Sequence, residues 1–160
     1  MTVEWIPIKQ LWAFFAWLPK FILRRKFTPE TLAGLIYLDL LPRYDPATLN
    51  LGESASFELW LQIINLSPFE VELDRAEFRL WCGPILNAAI LKRQKIAPGE
   101  IASFKVHGPI TDGQARQIAK TIAGNSVSLE GHIDFNCALH AFAKNVGHLK
   151  GINPRVLNAA

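Results

Sequence analysis

The stretch His132-Ile133-Asp134-Phe135-Asn136-Cys137, followed by His140 and His148, holds the densest run of side chains able to do chemistry in this chain. On an extended strand, residues two apart point the same way, so His132, Asp134 and Asn136 share one face. Imidazole and carboxylate side by side could ligate zinc or, with His140, build a small hydrolytic centre. Either needs further groups converging in a cleft, and no other motif supplies them. The expected reading is therefore a solvated polar strand face. Cys137 falls on the opposite, apolar face, where it cannot pair with His132 as a nucleophile, and burial leaves a thiol unreactive. Cys82 lies far from it in sequence, there is no Cys-x-x-Cys pair, and both thiols read as small core residues in a reducing compartment. Gly108-Pro109 and Gly124-Asn125 are turn chemistry, since no glycine-rich run ends in Lys-Ser/Thr. The residues point to no enzyme, no cofactor and no metal.

The elements that would carry these residues are strands. Leu35 to Leu41 reads as a first strand, and residues 43–53, with Pro46, Asn50 and Gly52, as a loop. From Ser56 the pattern alternates strictly, with Phe57, Leu59, Leu61 and Ile63 on one side. Asn65-Leu66-Ser67-Pro68 ends that strand, and Phe69 to Trp81 forms the next. Its apolar phase shifts from Val71 and Leu73 to Ala76, Phe78 and Leu80, which predicts a bulge at Asp74-Arg75. Strands over 85–96 and 101–107 follow, separated by Ala97-Pro98-Gly99-Glu100. Thr111 to Ala123 breaks the series as a helix, with Ala115, Ile118, Ala119 and Ile122 forming its apolar stripe. The last long strand turns Leu129, Gly131, Ile133, Phe135, Cys137 and Leu139 inward. Short strands separated by Pro/Gly turns predict a mainly β antiparallel sandwich with one inserted helix. Trp60 and Ile64 sit on the polar side of their strand, either beneath the inserted helix or as a patch for a partner.

Residues 1–27 have a different character. They hold Lys9, Lys20, Arg24, Arg25 and Lys26 against Glu4, a net charge of +4, so the remaining chain sums to −1 of the overall +3. A neutral body without a Lys/Arg stripe argues against nucleic acid, because phosphate neutralisation supplies most of that affinity. On a helical wheel over 9–24, Lys9, Lys20 and Arg24 share a narrow sector. Leu11, Trp12, Phe14, Phe15, Leu18, Phe21, Ile22 and Leu23 fill the other side. Trp5, Trp12 and Trp17 suit the headgroup level of a bilayer, and Pro19 is expected to kink or divide the helix. A secretion signal is disfavoured, since Glu4 precedes the apolar run and the basic residues follow it. A transmembrane span needs about 20 apolar residues, whereas Pro7, Lys9, Gln10, Pro19 and Lys20 interrupt this stretch. An interfacial helix and a single span both stay open. A buried core helix competes with them, but three tryptophans and Arg24-Arg25-Lys26 cost more to bury than to leave at a lipid surface.

The order of elements resembles the late embryogenesis abundant proteins that carry the water-stress hypersensitive-response (WHy) domain, over about residues 35–142. The residues carrying the likeness are Asn65 and Pro68 ending one strand, Ile96-Ala97-Pro98-Gly99 before another, and a helix before a long last strand. The family's usual Asn-Pro pair is split here by Leu66 and Ser67. The resemblance implies an immunoglobulin/fibronectin-type-III-like sandwich, no catalytic centre, frequent N-terminal membrane anchoring and a link to stress protection.

The sequence thus divides into a membrane-associating segment (1–27), a sandwich domain (28–150) and a C-terminal tail (151–160). The expected function is a non-enzymatic, membrane-associated interaction or scaffold protein. Its lipid contacts are Trp5, Leu11, Trp12, Phe14, Phe15, Trp17, Leu18, Phe21 and Ile22, its anionic-lipid contacts Lys9, Lys20, Arg24, Arg25 and Lys26, and Trp60 with Ile64 its candidate partner patch. The basic cluster places the body on the cytoplasmic side of the membrane. A carrier of lipid or another apolar ligand, held in a cavity between the sheets or beneath the N-terminal helix, is the alternative.

Overall fold

A computed structural model describes residues 15, 17–42, 45–91, 93–122 and 126–158. Trp5, Lys9, Leu11, Trp12 and Phe14 lie outside the described residues. The elements are α1 (Lys20–Lys26), α2 (Pro29–Gly34), β1 (Ile36–Leu40), β2 (Ala47–Asn50), β3 (Ser56–Asn65), β4 (Val71–Trp81), β5 (Ile85–Ile90), β6 (Gln94–Ile96), β7 (Ile101–Pro109), α3 (Asp112–Thr121), β8 (Val127–Cys137), β9 (Ala141–Ile152) and β10 (Arg155–Leu157).

The chain is mainly β, built as two largely antiparallel sheets around one core. Each sheet is organised on a long strand whose neighbour on one side is broken. In the first sheet β3 pairs with β7 on one side. On the other, β1 covers its Leu61–Asn65 half and β2 its Ser56–Leu59 half. The chain leaves the sheet between them, and Trp60 bridges the gap through Trp60 N–H to Pro46 O (2.8 Å) and Leu41 N–H to Trp60 O (3.0 Å). In the second sheet β4 pairs with β8, and on its other side β5 covers residues 76–81 and β6 residues 71–73. The register slips between Leu73 and Arg75, the bulge that the phase shift predicts.

Alternation decides what is inside. β3 buries Phe57, Leu59, Leu61 and Ile63, β4 buries Leu73, Phe78 and Leu80, and β8 buries Leu129, Ile133 and Phe135. Phe78 and Phe104 meet across the two sheets at 6.0 Å between ring centroids.

Helices close both ends of the sheets. At one end Thr111 caps α3 in a reciprocal box with Gln114. Gln114 also donates to Ile85 O (3.1 Å), while Ile118 is fully buried. Ala119, expected in the apolar stripe, is exposed. At the other end α1 and α2 insert Leu23, Phe27 and Leu32 among the core residues. Thr28 caps α2 by accepting Thr31 N–H (3.3 Å), and Pro29 occupies the first helical turn, where its missing donor costs nothing.

Four sequence expectations are corrected. The segment 43–53 is not all loop, because β2 forms within it by pairing to β3. The strand expected over 85–96 is two strands, interrupted opposite the β4 bulge. The chain after the last expected strand returns as β9, which pairs with β8 over nearly its full length. Residues 155–157 of the expected tail form β10, which adds parallel to β2. Pro19, expected to kink or divide the helix, is the N-cap of α1, and its fixed φ of −59° suits that position.

Candidate functional site

The polar residues around His132 lie on the outer face of the second sheet. Across β4 and β8 the pairs are Arg75 with Asp134, Glu77 with His132 and Arg79 with Glu130, an alternation of opposite charges on neighbouring strands. Arg75 also pairs with Glu77 along its own strand, holding the Glu77 carboxyl below its usual range through that hydrogen bond. His132 has both ring nitrogens engaged, Nδ1 with Asn145 Oδ1 (2.6 Å) and Nε2 with Asp134 Oδ1 (3.1 Å). Its pKa is raised, first by the bond to Asn145 and further by the Asp134 carboxylate. Glu130 pairs with His148 at 2.9 Å. Glu77, Arg79, Glu130, His132 and Asn145 line a shallow depression of about 320 Å³ together with Gly131, Val146 and Gly147.

These groups satisfy one another and none is poised against a nucleophile. His140 does not join them. It sits beyond the end of β8, at least five strand residues or roughly 17 Å from His132. There its Nε2 lies 3.3 Å from Arg24 O. Cys137 is half-buried on the core side, and burial pushes the Cys82 thiol up to about 11. Among the described residues no three His, Cys, Asp or Glu side chains come together to hold a metal ion.

The N-terminal residues form a two-sided surface. Phe15 and Leu18 are half-buried against the core, Leu23 and Phe27 are buried within it, and Phe15, Phe27 and Phe69 meet edge-on in sequence at 5.4 and 5.2 Å. Two polar contacts reinforce the docking: His140 against Arg24 O, and Lys144 Nζ donating to Ala33 O (2.9 Å). Lys144 loses solvent beneath α2, which lowers its pKa. Facing outward are Trp17 (68% exposed), Phe21 (73%) and Ile22 (36%), with Lys20, Arg24, Arg25 and Lys26 also exposed. Among the described residues no helix is long and apolar enough to cross a membrane.

Trp60 and Ile64 are half-buried on the outer face of the first sheet, while the inserted helix is fastened to the sandwich through Gln114 Nε2 to Ile85 O (3.1 Å) and the buried Ile118. Ile64 stands in a cross-strand row with Tyr37 and Ile101. Trp60 lies beside Lys105, whose Nζ is 5.9 Å from the ring centroid and 3.0 Å from Glu58 Oε1. Both flank a slot of about 280 Å³ between β7 and the β5–β6 edge that the strand reading did not anticipate. Its sequence signal is the same phase shift at Asp74-Arg75, because the bulge breaks the opposing edge.

Sequence reasoning also missed the role of Asn65 and Ser67, the two buried polar side chains among the described residues. Asn65 Nδ2 donates to Phe69 O (2.8 Å) and Ile96 O (2.9 Å), while its Oδ1 accepts from Ser67 N–H (3.0 Å) and Ser67 Oγ (2.7 Å). The residues read as a strand terminator therefore fasten the β3–β4 turn to β6, a structural task.

No model of a known protein family matches the chain, and no curated protein matches it by sequence. Among solved structures it is similar to a structural-genomics target at 12% identity and TM-score 0.49, covering 74% of this chain and 87% of that one. A Bordetella pertussis protein provisionally described as ApaA follows at 11% identity and TM-score 0.45, with coverages of 78% and 92%. A structure provisionally assigned to the late embryogenesis abundant proteins matches at 10% identity and TM-score 0.41, covering 93% of this chain and 91% of that one.

Proposed function

We propose that the chain is a non-enzymatic interaction protein that works at the surface of an anionic membrane, presenting its sandwich to a partner on the cytoplasmic side. The observation that carries this reading is the two-sidedness of the N-terminal segment. Leu23 and Phe27 hold it in the core while Trp17, Phe21 and Ile22 project beside Lys20, Arg24, Arg25 and Lys26. Removing a large apolar side chain from water contributes about 1.5–3 kcal/mol, and each cation near an anionic surface about 1 kcal/mol. That combination favours a lipid interface over open water. Because α1 is locked to the body, the reading is an interfacial attachment. We further assign the sandwich to the immunoglobulin/fibronectin-type-III-like class and to the WHy-type late embryogenesis abundant proteins, on the element order and the helix before β8.

The carrier alternative is less favoured. Phe57, Phe78, Phe135 and their neighbours fill the space between the sheets, and a slot of about 280 Å³ falls just below the usual ligand range of about 300–1,000 Å³.

Co-sedimentation with vesicles of phosphatidylcholine and phosphatidylglycerol tests the proposal. The full chain should sediment at low salt, and a Trp17→Ser/Phe21→Ser variant should bind at least tenfold more weakly. Loss of binding on raising salt identifies the cationic part. Equal sedimentation of both proteins refutes the assignment.

A further inference from the structure

β7 is an outer strand, and among the described residues it pairs only with β3. In an antiparallel ladder, alternate residues exchange both backbone bonds with the partner, and the residues between them point those groups outward. Asn65 N–H to Glu100 O (3.1 Å) and Ile110 N–H to Ala55 O (2.9 Å) set the phase at the two ends. With the register of Ala102 to Ile63, Phe104 to Leu61 and Val106 to Leu59, those residues face β3. The backbone N–H and C=O groups of Ile101, Ser103, Lys105 and His107 therefore face the free edge. A row of this kind is a template for a further strand.

The slot lies beside that row. Ser103, Phe104 and Lys105 form one wall, Ile90 and Gln94 the other, and Leu73 the floor. It opens because β5 stops at Ile90 and β6 starts at Gln94, so the second sheet recedes from the middle of β7. Further along, the sheets come together: a Cβ on Gly108 would lie 3.2 Å from Asn87 O, and Pro109 has no N–H to offer. The usable edge is thus about five residues long.

We propose that β7 accepts an extended peptide segment of a partner protein as an added strand, with an apolar side chain entering the slot above Leu73. Residues opposite Ala102 and Phe104 would point inward and be apolar. Those opposite Ser103 and Lys105 would point outward, beside the Lys105 ammonium, which carries three N–H donors and gives one to Glu58 Oε1 (3.0 Å). The segment recognised therefore alternates acidic and apolar residues, a strand-addition mode in which backbone bonds supply affinity and the slot supplies selection. This names the partner chemistry for the interaction role proposed above. It does not depend on lipid, so it is tested without lipid.

The probe is the peptide acetyl-Gly-Glu-Leu-Glu-Leu-Thr-Gly-amide, titrated into the isotope-labelled full chain in solution. Expected are amide shifts at Ile101, Ser103 and Lys105 together with side-chain shifts at Ile90 and Leu73. A reordered Gly-Leu-Leu-Glu-Glu-Thr-Gly peptide should bind at least tenfold more weakly. Ser103→Pro removes an outward donor and should weaken binding at least tenfold. Lys105→Glu, which leaves the backbone intact, should weaken it likewise and be rescued by a peptide with Lys in place of Glu. Absence of binding, shifts centred elsewhere, or affinity indifferent to Lys105→Glu would overturn the proposal. Concentration-dependent self-association shifting the same amides would overturn it in favour of a second copy of this chain. Failure here with vesicle binding intact removes the peptide site alone.

Discussion

Phe27 and Phe69 meet edge-on, their ring centroids 5.2 Å apart and their planes at 89°. This contact joins the residue just after α1 to the β3–β4 turn, which makes the segment before residue 28 part of the core. Phe27 is 6% exposed, so Phe27→Ala should cost about 3–5 kcal/mol by urea unfolding. It should also speed proteolysis ahead of Thr28. A cost below about 1 kcal/mol would mean that the segment does not contribute to the fold.

Asn65 spends all its hydrogen-bonding capacity on Phe69 O, Ile96 O and Ser67. Asn65→Ala leaves buried groups without partners and should destabilise by about 1–3 kcal/mol, measured by denaturant unfolding. Ser67→Ala should cost less, since Asn65 Nδ2 keeps both its carbonyl acceptors.

Two glycines on paired strands should respond unequally to the same substitution. A Cβ on Gly131 would come within 2.6 Å of the Phe78 ring, whereas a Cβ on Gly147 meets nothing within 4 Å. Gly131→Ala should lower stability by about 1–3 kcal/mol through overpacking. Gly147→Ala should stay within about 0.5 kcal/mol of the parent. Thermal melts of the two variants side by side decide the matter.

His132 should titrate above the ordinary histidine value of about 6.5, followed by its ring-proton NMR shifts. The sign follows from linkage. A pKa raised on folding means that the imidazolium favours the folded state, so its contribution is fully present below about pH 6.5 and is lost as pH rises through the folded value. Asn145→Ala removes the largest cause and should move the midpoint down. A midpoint unchanged in that variant would show that the bond to Asn145 does not set it.

Trp17→Ser/Phe21→Ser should leave the unfolding midpoint nearly unchanged, because both side chains are largely exposed. The weaker vesicle binding predicted for this variant would then reflect a lost surface and not a loosened fold. A large fall in stability would contradict their exposure.

Much of the sandwich was legible in local pattern. The alternation around Phe57, the phase shift at Asp74-Arg75 and the Thr111/Gln114 box each mark their elements, because pleat, bulge and cap depend on residues within a few positions of one another. β2 was hidden among Pro46, Asn50 and Gly52, since a four-residue strand is held by its partner β3 and not by its own propensity. β10 was hidden for the same reason, its partner β2 lying about a hundred residues earlier in the chain.

For the candidate site the division falls within one helix. The sequence by itself determined that residues 20–27 combine apolar and basic side chains, because those are local and periodic facts. It could not say which apolar residues turn to the body and which to the outside. Leu23 and Phe27 go inward and Phe21 and Ile22 outward because Phe69, the β8–β9 turn and β9 are brought beside the segment by strands from elsewhere in the chain. The edge of β7 follows the same rule. Its alternation was readable, but its outward backbone row is free because β7 pairs, among the described residues, only with β3, and the slot beside it lies where the edge opposite is interrupted at the β4 bulge in the other sheet. Burial is a competition among surfaces distant in sequence, and only the tertiary structure decides it.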